Sequence, residues 1–246
     1  MMKNIFKDNS KNYIYGGLYG SSSAYIINKL SNDFKNILIV LDNNNEIHNL
    51  YNELQVFIDK NIHINKFLDI ESLPYEDIII DNDIISSRIQ TYYNILHNKQ
   101  NITIASYSSL IKKISPDIKK SNFFNIIDYR YTYNDLINII KKCNYERTEK
   151  VLNKGEYAIR GPILDIFSMV ENKPIRITFD DKKIETIKTF HLHTQKTELL
   201  LKKFILSYYS EINIDDNVIK NYKIKSKKIF DNEYKEDIEF SKIINN

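Results

Sequence analysis

The chain has 246 residues and a mass of 29.2 kDa, which is long for one ordinary domain and sufficient for two. Hydrophobic residues make up 42% of the sequence and charged residues 27%, so a folded core is expected and wholesale disorder is excluded. Five glycines and four prolines exclude a collagen-like or linker-like protein, and a net charge of +3 is too small to indicate a nucleic-acid-binding protein.

The first part of the chain alternates strand and helix patterns. Residues 36–42 (NILIVLD) form an apolar run that ends in an acid, which is typical of a parallel strand buried on both faces. A helix, a strand, a second helix, a second buried strand and a short helix follow at residues 47–58, 62–67, 84–93, 101–106 and 109–114. This alternation predicts a doubly wound α/β sheet.

After Pro116 the pattern changes to one rich in strands. A strand at residues 123–127 precedes a helix at 136–142, and Thr132 and Asp135 resemble a capping box at the start of that helix. Further strands are expected at residues 156–160, 163–169, 175–179 and 184–190. We interpret the chain as an α/β domain over residues 1–118, an inserted α+β domain over 119–208, and a truncated, weakly ordered return segment over 209–246.

A glycine-rich loop near the N-terminus has the spacing of a phosphate-binding P-loop. It follows a strand-like pattern at residues 13–15, contains Gly17 and Gly20, and precedes an apolar helix. A working P-loop needs a lysine for the phosphate charge and then a serine or threonine for Mg²⁺. Ser23 and Ala24 occupy those two positions, so we expect no ATP binding and no nucleotide cofactor.

No other motif indicates catalysis or a metal site. His191 and His193 form an H-x-H pair without a nearby cysteine, and we expect them to be surface residues. Cys143 is the one cysteine; it excludes an internal disulfide, and its apolar helical context indicates buried packing. Because no apolar stretch reaches the length of a membrane span or a signal peptide, we expect a cytoplasmic protein with no membrane contact.

Two arginines occupy the outward-facing positions of predicted strands. Arg160 alternates with the apolar Tyr157 and Ile159, and Arg176 lies between the apolar Ile175 and Ile177. If the two strands are neighbours, both guanidinium groups lie on one exposed sheet face. Arginine is suited to bidentate binding of carboxylates across an interface, although ordinary surface charges stay the alternative on periodicity alone.

Several motifs, in order along the chain, resemble those of bacterial transcription-repair coupling factors. Residues 71–76 (ESLPYE) and 83–88 (DIISSR) are similar to one family signature, and residues 155–167 (GEYAIRGPILDIF) are similar to another. Residues 174–190 (PIRITFDDKKIETIKTF) and 194–196 (TQK) are similar to two more. Together with the glycine loop, these blocks extend from Gly16 to about Tyr208, and their combination is specific.

The resemblance implies an N-terminal module built like the repair protein UvrB. In the family, a RecA-like α/β domain without nucleotide chemistry carries an inserted domain that binds UvrA, the damage-recognition ATPase. It does so through a face homologous to the one that UvrB uses. The family's interface positions correspond to Arg160, Arg176, Phe179 and Asp180, and on this basis we expect substitution of either arginine to abolish binding with little change in melting temperature.

The resemblance leaves three alternatives open. A full-length family member is several times longer and includes an RNA-polymerase-binding domain and a DNA translocase, for which 246 residues leave no room. We therefore expect no enzymatic activity, no direct binding of RNA polymerase, and at most weak nonspecific DNA binding. The alternatives are a nonfunctional remnant of a decayed gene, a fragment of UvrB, which keeps the P-loop lysine and a DNA-clamping hairpin, and a small P-loop ATPase.

Overall fold

A computed structural model describes residues 14–70, 80–98, 100–112, 118–127, 130–211 and 220 of the chain. It has a mixed α/β architecture with several sheets, as the alternating patterns predicted. The ESLPYE motif at residues 71–76 lies outside the described residues, as does most of the segment after Glu211. No helix among the described residues is long and apolar enough to cross a membrane.

Five α-helices with described bounds are found where the apolar spacing predicted them, apart from shifts of a few residues at their ends. They are α1 (Ser22–Ser31), α2 (Asn44–Phe57), α3 (Asn82–His97), α4 (Tyr107–Ile111) and α5 (Tyr133–Lys142). The predicted capping box at α5 is confirmed: the Thr132 hydroxyl accepts from the Asp135 backbone N–H at 3.2 Å, and the Asp135 carboxylate accepts from the Thr132 N–H at 3.0 Å. These bonds satisfy N–H groups that a helix N-terminus leaves unpaired.

The first sheet has three parallel strands, β1 (Asn36–Leu41), β2 (His63–Phe67) and β3 (Asn101–Ser106), in the order β1-β3-β2. Helix α2 packs on one face through Ile47 and Leu54, which contact the buried Ile102 and Ile104. Helix α3 packs against β2 and β3. The parallel pairing follows from the helical connections between successive strands.

The expectation that β1 is buried on both faces was wrong. Alternate residues of β1 are exposed, including the apolar Leu38 and Val40. Tyr92 and Ile95 of α3 and Leu110 of α4 border the open groove that Leu38 lines. No described helix covers this face of β1. An apolar run therefore indicates a strand buried on both faces only where other elements pack on both faces of the sheet.

The second part of the chain forms a six-stranded and a two-stranded sheet. The larger sheet has the order β10-β9-β8-β7-β6-β5, antiparallel except for the β5–β6 pair. Its strands are β5 (Glu146–Arg147), β6 (Glu156–Arg160), β7 (Ile163–Ile166), β8 (Ile175–Asp180), β9 (Lys183–Phe190) and β10 (Thr197–Leu201). The smaller sheet pairs β4 (Phe123–Ile127) with β11 (Lys203–Ser207).

One large apolar core joins these two sheets to helices α3 and α5. Leu164, Ile177 and Ile187 come from the inner face of the six-stranded sheet, and Leu136 and Ile140 come from α5. Ile89 of α3 is part of the same core, so α3 packs both against the parallel sheet and against the strand-rich part. The division at residues 118 and 208 stays a prediction, because α3 precedes residue 118 and contributes to the core that follows it.

The start of the predicted return segment is anchored to α3 and to the end of α5. The Glu211 carboxylate binds the Arg88 guanidinium through both oxygens, one of them 3.1 Å from Arg88 Nη2. The Tyr209 hydroxyl donates to Asn82 Oδ1 at 2.6 Å, and its backbone N–H donates to the Cys143 carbonyl at 2.9 Å. The segment therefore begins with specific contacts.

Candidate partner-binding surface

The glycine-rich loop leads into α1, but no strand precedes it in the described residues. Ile14 and Tyr15 are exposed and form no strand, and Tyr13 lies outside the described residues. Gly17 and Gly20 have φ values of +71° and +54°, which explains the choice of glycine at both turns. Ser23 is half-buried, and Ala24 is fully buried in the core under α1. The methyl group of Ala24 has no donor or acceptor for a phosphate or a metal ion.

The two predicted arginines are not on neighbouring strands, because β7 lies between β6 and β8. This strand contributes Asp165, which is directly opposite Ala158 on β6 and Arg176 on β8. The Asp165 side chain is 1% exposed, and its carboxylate accepts hydrogen bonds from both Arg160 and Arg176. We refer to Arg160, Asp165 and Arg176 as the arginine cluster.

Arg176 lies on the outward face that the alternation predicted, but it is held there from several directions. Its Nε and Nη2 donate to the two carboxylate oxygens of Asp165 at 2.7 and 2.9 Å, and its Nη1 donates to the Gln195 carbonyl at 3.0 Å. The guanidinium carbon lies 4.7 Å from the centre of the Phe190 ring. The side chain is 15% exposed. Arg176 therefore neutralises Asp165 and has little surface left for a partner.

Arg160 is the accessible member of the arginine cluster. Its side chain is 49% exposed, and one terminal nitrogen donates to Asp165 Oδ2. A guanidinium group has five N–H donors, so most of its donors are uncommitted to Asp165. The anchored nitrogen fixes the orientation of the group, which leaves a preoriented cation at the surface.

The charges of the arginine cluster support one another. The pKa of Arg176 is raised, first by its hydrogen bonds to Asp165 and also by the negative charge of that carboxylate, against the opposing effect of burial. Burying a carboxylate without a partner costs free energy, and the two guanidinium groups offset that cost for Asp165.

Asp165 is the site residue that sequence reasoning missed. An acid between Leu164 and Ile166, in an otherwise buried strand, was the available signal.

Phe179 and Asp180 have different environments although they are adjacent. Phe179 is buried in the core, where its ring meets Tyr133 edge-to-face with centroids 5.1 Å apart. The alternation of β8 turns its ring inward, so its expected role in partner binding stays a prediction. Asp180 is exposed at the end of β8, beside a tight turn in which Asp181 and Lys182 have positive φ values.

The remaining candidate residues show no catalytic or metal-binding arrangement. The rings of His191 and His193 lie 5.7 Å apart, and no group of three or more potential metal-ligating side chains occurs in the part of the chain that the structure describes. Cys143 is fully buried at the end of α5, and burial raises the pKa of its thiol to about 12. A protonated, inaccessible thiol is a packing group and a poor nucleophile.

Comparisons with known proteins agree with the motifs. Residues 127–209 match the family described as the UvrB interaction domain. The chain is 30% identical to the transcription-repair-coupling factor of Borreliella burgdorferi over 92% of the chain and 20% of that relative. It is 27% identical to the factor of Haemophilus influenzae over 88% of the chain and 19% of that relative. It is also 27% identical to the factor of Escherichia coli, over 75% of the chain and 16% of that relative.

These matches confirm the resemblance to transcription-repair coupling factors, and it extends over most of the chain. The chain spans about a fifth of the length of the curated relatives that it matches. The arginine cluster lies inside the matched UvrB interaction domain, on the sheet face opposite the large core. Part of that face is covered by a smaller buried cluster that includes Ala158 and Phe190.

Proposed function

We propose that the chain acts as a UvrA-binding module in transcription-coupled nucleotide excision repair. The observation that carries this proposal is the preoriented Arg160 at the surface of a segment that matches the UvrB interaction domain. The transcription-repair-coupling factors similar to this chain couple transcription to repair, as their name states. Because UvrA acts on damaged chromosomal DNA, the proposed role is cytoplasmic.

The chemistry of the site fits a carboxylate on the partner. The uncommitted N–H groups of Arg160 form a planar fork that matches a carboxylate in a bidentate arrangement. Asp165 holds that fork in place, and Arg176 balances the charge of Asp165 from beneath. A side chain that is ordered before binding loses less conformational entropy in the complex. Asp180 is a second exposed polar contact in the proposed interface, and Phe179 supports the strand from the core.

We further propose that this chain by itself performs no nucleotide chemistry. The α/β part would be a RecA-like domain whose degenerate P-loop lacks the phosphate-binding lysine at Ser23 and the metal-binding hydroxyl at Ala24. The proposed module takes no cofactor, does not bind RNA polymerase directly, and binds DNA weakly and nonspecifically at most.

The proposal is tested by titrating the purified chain with UvrA from the same organism. We expect saturable binding for the wild type and a loss of about 30-fold or more for Arg160→Ala, since removing one partner of a desolvated charge pair costs about 2–5 kcal/mol. Because Arg160 is half exposed, the chain should still fold when this residue is replaced by alanine.

Two control variants separate a local effect from a general loss of positive charge. Arg130→Ala removes an exposed arginine from the turn before α5, and Lys119→Ala removes an exposed lysine near β4. Each should change UvrA affinity by less than about fivefold, which corresponds to about 1 kcal/mol. Equal losses in all three variants, or no saturable binding by the wild type, would contradict the proposal.

A further inference from the structure

We infer that Leu200 and Lys188 extend the proposed UvrA-binding surface from the arginine cluster to the edge strand β10. The occupant is a UvrA surface that presents an apolar side chain next to its carboxylates. This inference rests on the proposed function and adds to it an apolar contact that lies outside the motifs carrying the resemblance.

The first observation is the exposure of leucine on an edge strand. Strand β10 pairs with β9 on one side and with no other described strand, and both Leu199 and Leu200 are exposed. Leu200 is 70% exposed, whereas the next residue, Leu201, packs against the large core. Exposed apolar side chains on a strand edge favour contact with another surface.

The second observation is the register of the sheet. Leu200 is opposite Lys188, Lys188 is opposite Arg176, and Arg176 is opposite Asp165. Directly opposed residues in a sheet share a face, so Leu200 and Lys188 lie on the same face as the arginine cluster. With strands about 4.8 Å apart, Leu200 is roughly 15 Å from Asp165, well within one interface of about 800 Å² per partner.

The third observation is the sign of the charge on this face. Arg176 balances the buried carboxylate of Asp165, so Arg160 and Lys188 are the cations that this face presents to a partner. Lys188 makes no ion pair with any residue that the structure describes. The acids near this face have other positions or partners. Glu156 accepts from the Leu152 and Asn153 N–H groups at 2.7 and 2.9 Å, and Asp180 is exposed at the end of β8. Glu185 accepts from Thr178 at 3.4 Å, and Glu198 pairs with Lys173 at 2.7 Å.

This charge pattern distinguishes between possible occupants. A second copy of the chain on this face would bring arginine and lysine against arginine and lysine, which is repulsive. An acidic partner surface is attracted by the same groups, and an apolar side chain on it would cover Leu200. Buried apolar contacts surrounded by charged groups are the usual composition of an energetically important interface centre.

The test is a titration of full-length chain variants with UvrA. Leu200→Ser should weaken binding about tenfold, Leu200→Met should restore most of the affinity, and Lys188→Ala should weaken it about threefold with a smaller effect at high salt. The matched control is Val56→Ser, because Val56 is 80% exposed on α2 in the other part of the fold. All four variants should keep the melting temperature of the wild type, and Val56→Ser should keep its affinity.

The outcomes separate this inference from the proposed function. If the wild type binds UvrA and Arg160→Ala weakens the complex, but Leu200→Ser and Lys188→Ala bind normally, the inference is overturned and the proposed function stands. A wild type that does not bind UvrA refutes both. A dimer of the chain that dissociates on Leu200→Ser, with UvrA affinity unchanged, assigns the leucine to self-association and also overturns the inference.

Discussion

Asp165 fixes the positions of the two arginine side chains that bind it. Its carboxylate is buried on β7 and accepts from Arg160 on one side and from Arg176 on the other. One arginine is thereby fixed inside the sheet face, and the other is fixed at its surface. The two residues have the same chemistry but different exposure. Substituting Arg176 should therefore affect mainly the stability of the fold, and substituting Arg160 should affect mainly UvrA binding.

Arg176→Ala should destabilise the fold by about 3 kcal/mol, because it removes the bidentate partner of a buried carboxylate. Arg160→Ala should cost about 1 kcal/mol or less, since that arginine is half exposed and solvent screens its pairing with Asp165. Urea denaturation of both variants measures the difference. This replaces the expectation from the sequence that both substitutions leave the melting temperature nearly unchanged.

Arg130→Ala is the matched control for these measurements, and its free energy of unfolding should stay within about 0.5 kcal/mol of the wild type. If Arg176→Ala is as stable as this control, Arg176 does not hold Asp165 in the way described.

The positions of both arginines could be predicted from the alternation of apolar residues along each strand. The roles of these residues could not be predicted, because alternation within a strand carries no information about which strand lies beside it. Arg160 and Arg176 share a face as expected, but β7 and its carboxylate lie between them. Phe179 lies two residues after Ile177, so the same alternation places it on the buried face of β8.

Helix α3 is the element that connects the two parts of the fold. It packs on the parallel sheet and contributes Ile89 to the large core. Its Arg88 is buried, donates to the Leu68 carbonyl at 2.8 Å, stacks 3.9 Å from the centre of the Phe67 ring, and pairs with Glu211. One side chain therefore links α3, β2 and the segment that follows β11.

Glu211→Gln should destabilise the fold by about 3 kcal/mol, because it keeps the size of the side chain but leaves the Arg88 cation buried without its counter-charge. The loss should be absent in Glu149→Gln, which makes the same change at an exposed position before β6. Thermal and urea unfolding measure both variants, and equal stability of the two would show that the Arg88–Glu211 pair contributes nothing.

The helices were the most predictable elements, because their spacing and caps are local. Asn43 and Thr132 cap α2 and α5 through bonds within four residues, so each signal is complete in the local sequence. The pairing of β4 with β11 joins residues about eighty positions apart, and no local pattern specifies it. The same holds for the Arg88–Glu211 pair.

Across the residues that the structure describes, the chain combines a parallel α/β part with a strand-rich part that matches the UvrB interaction domain. The α/β class was predictable because successive apolar runs alternate with amphipathic helices. The open face of β1 was not predictable, because the covering of a strand depends on elements elsewhere in the chain. The proposed function follows from the resemblance, and the arrangement of the site follows from the register of the sheet.

The chain should bind no ATP. Isothermal titration with Mg-ATP should show no saturable heat at millimolar nucleotide, because the positions of the phosphate-binding and metal-binding side chains hold Ser23 and Ala24. Ser23→Lys should also fail to create ATPase activity. Saturation at tens of micromolar nucleotide would contradict the proposal that the chain performs no nucleotide chemistry.

The central claim is that the chain binds UvrA through the face that UvrB uses. The most direct measurement is a competition experiment, in which a fluorescently labelled chain is bound to UvrA and unlabelled UvrB from the same organism is added. UvrB should displace the labelled chain completely, and Arg160→Ala should fail to bind at concentrations that saturate the wild type. A stable complex in which saturating UvrB leaves the labelled chain bound to UvrA would contradict a shared binding face.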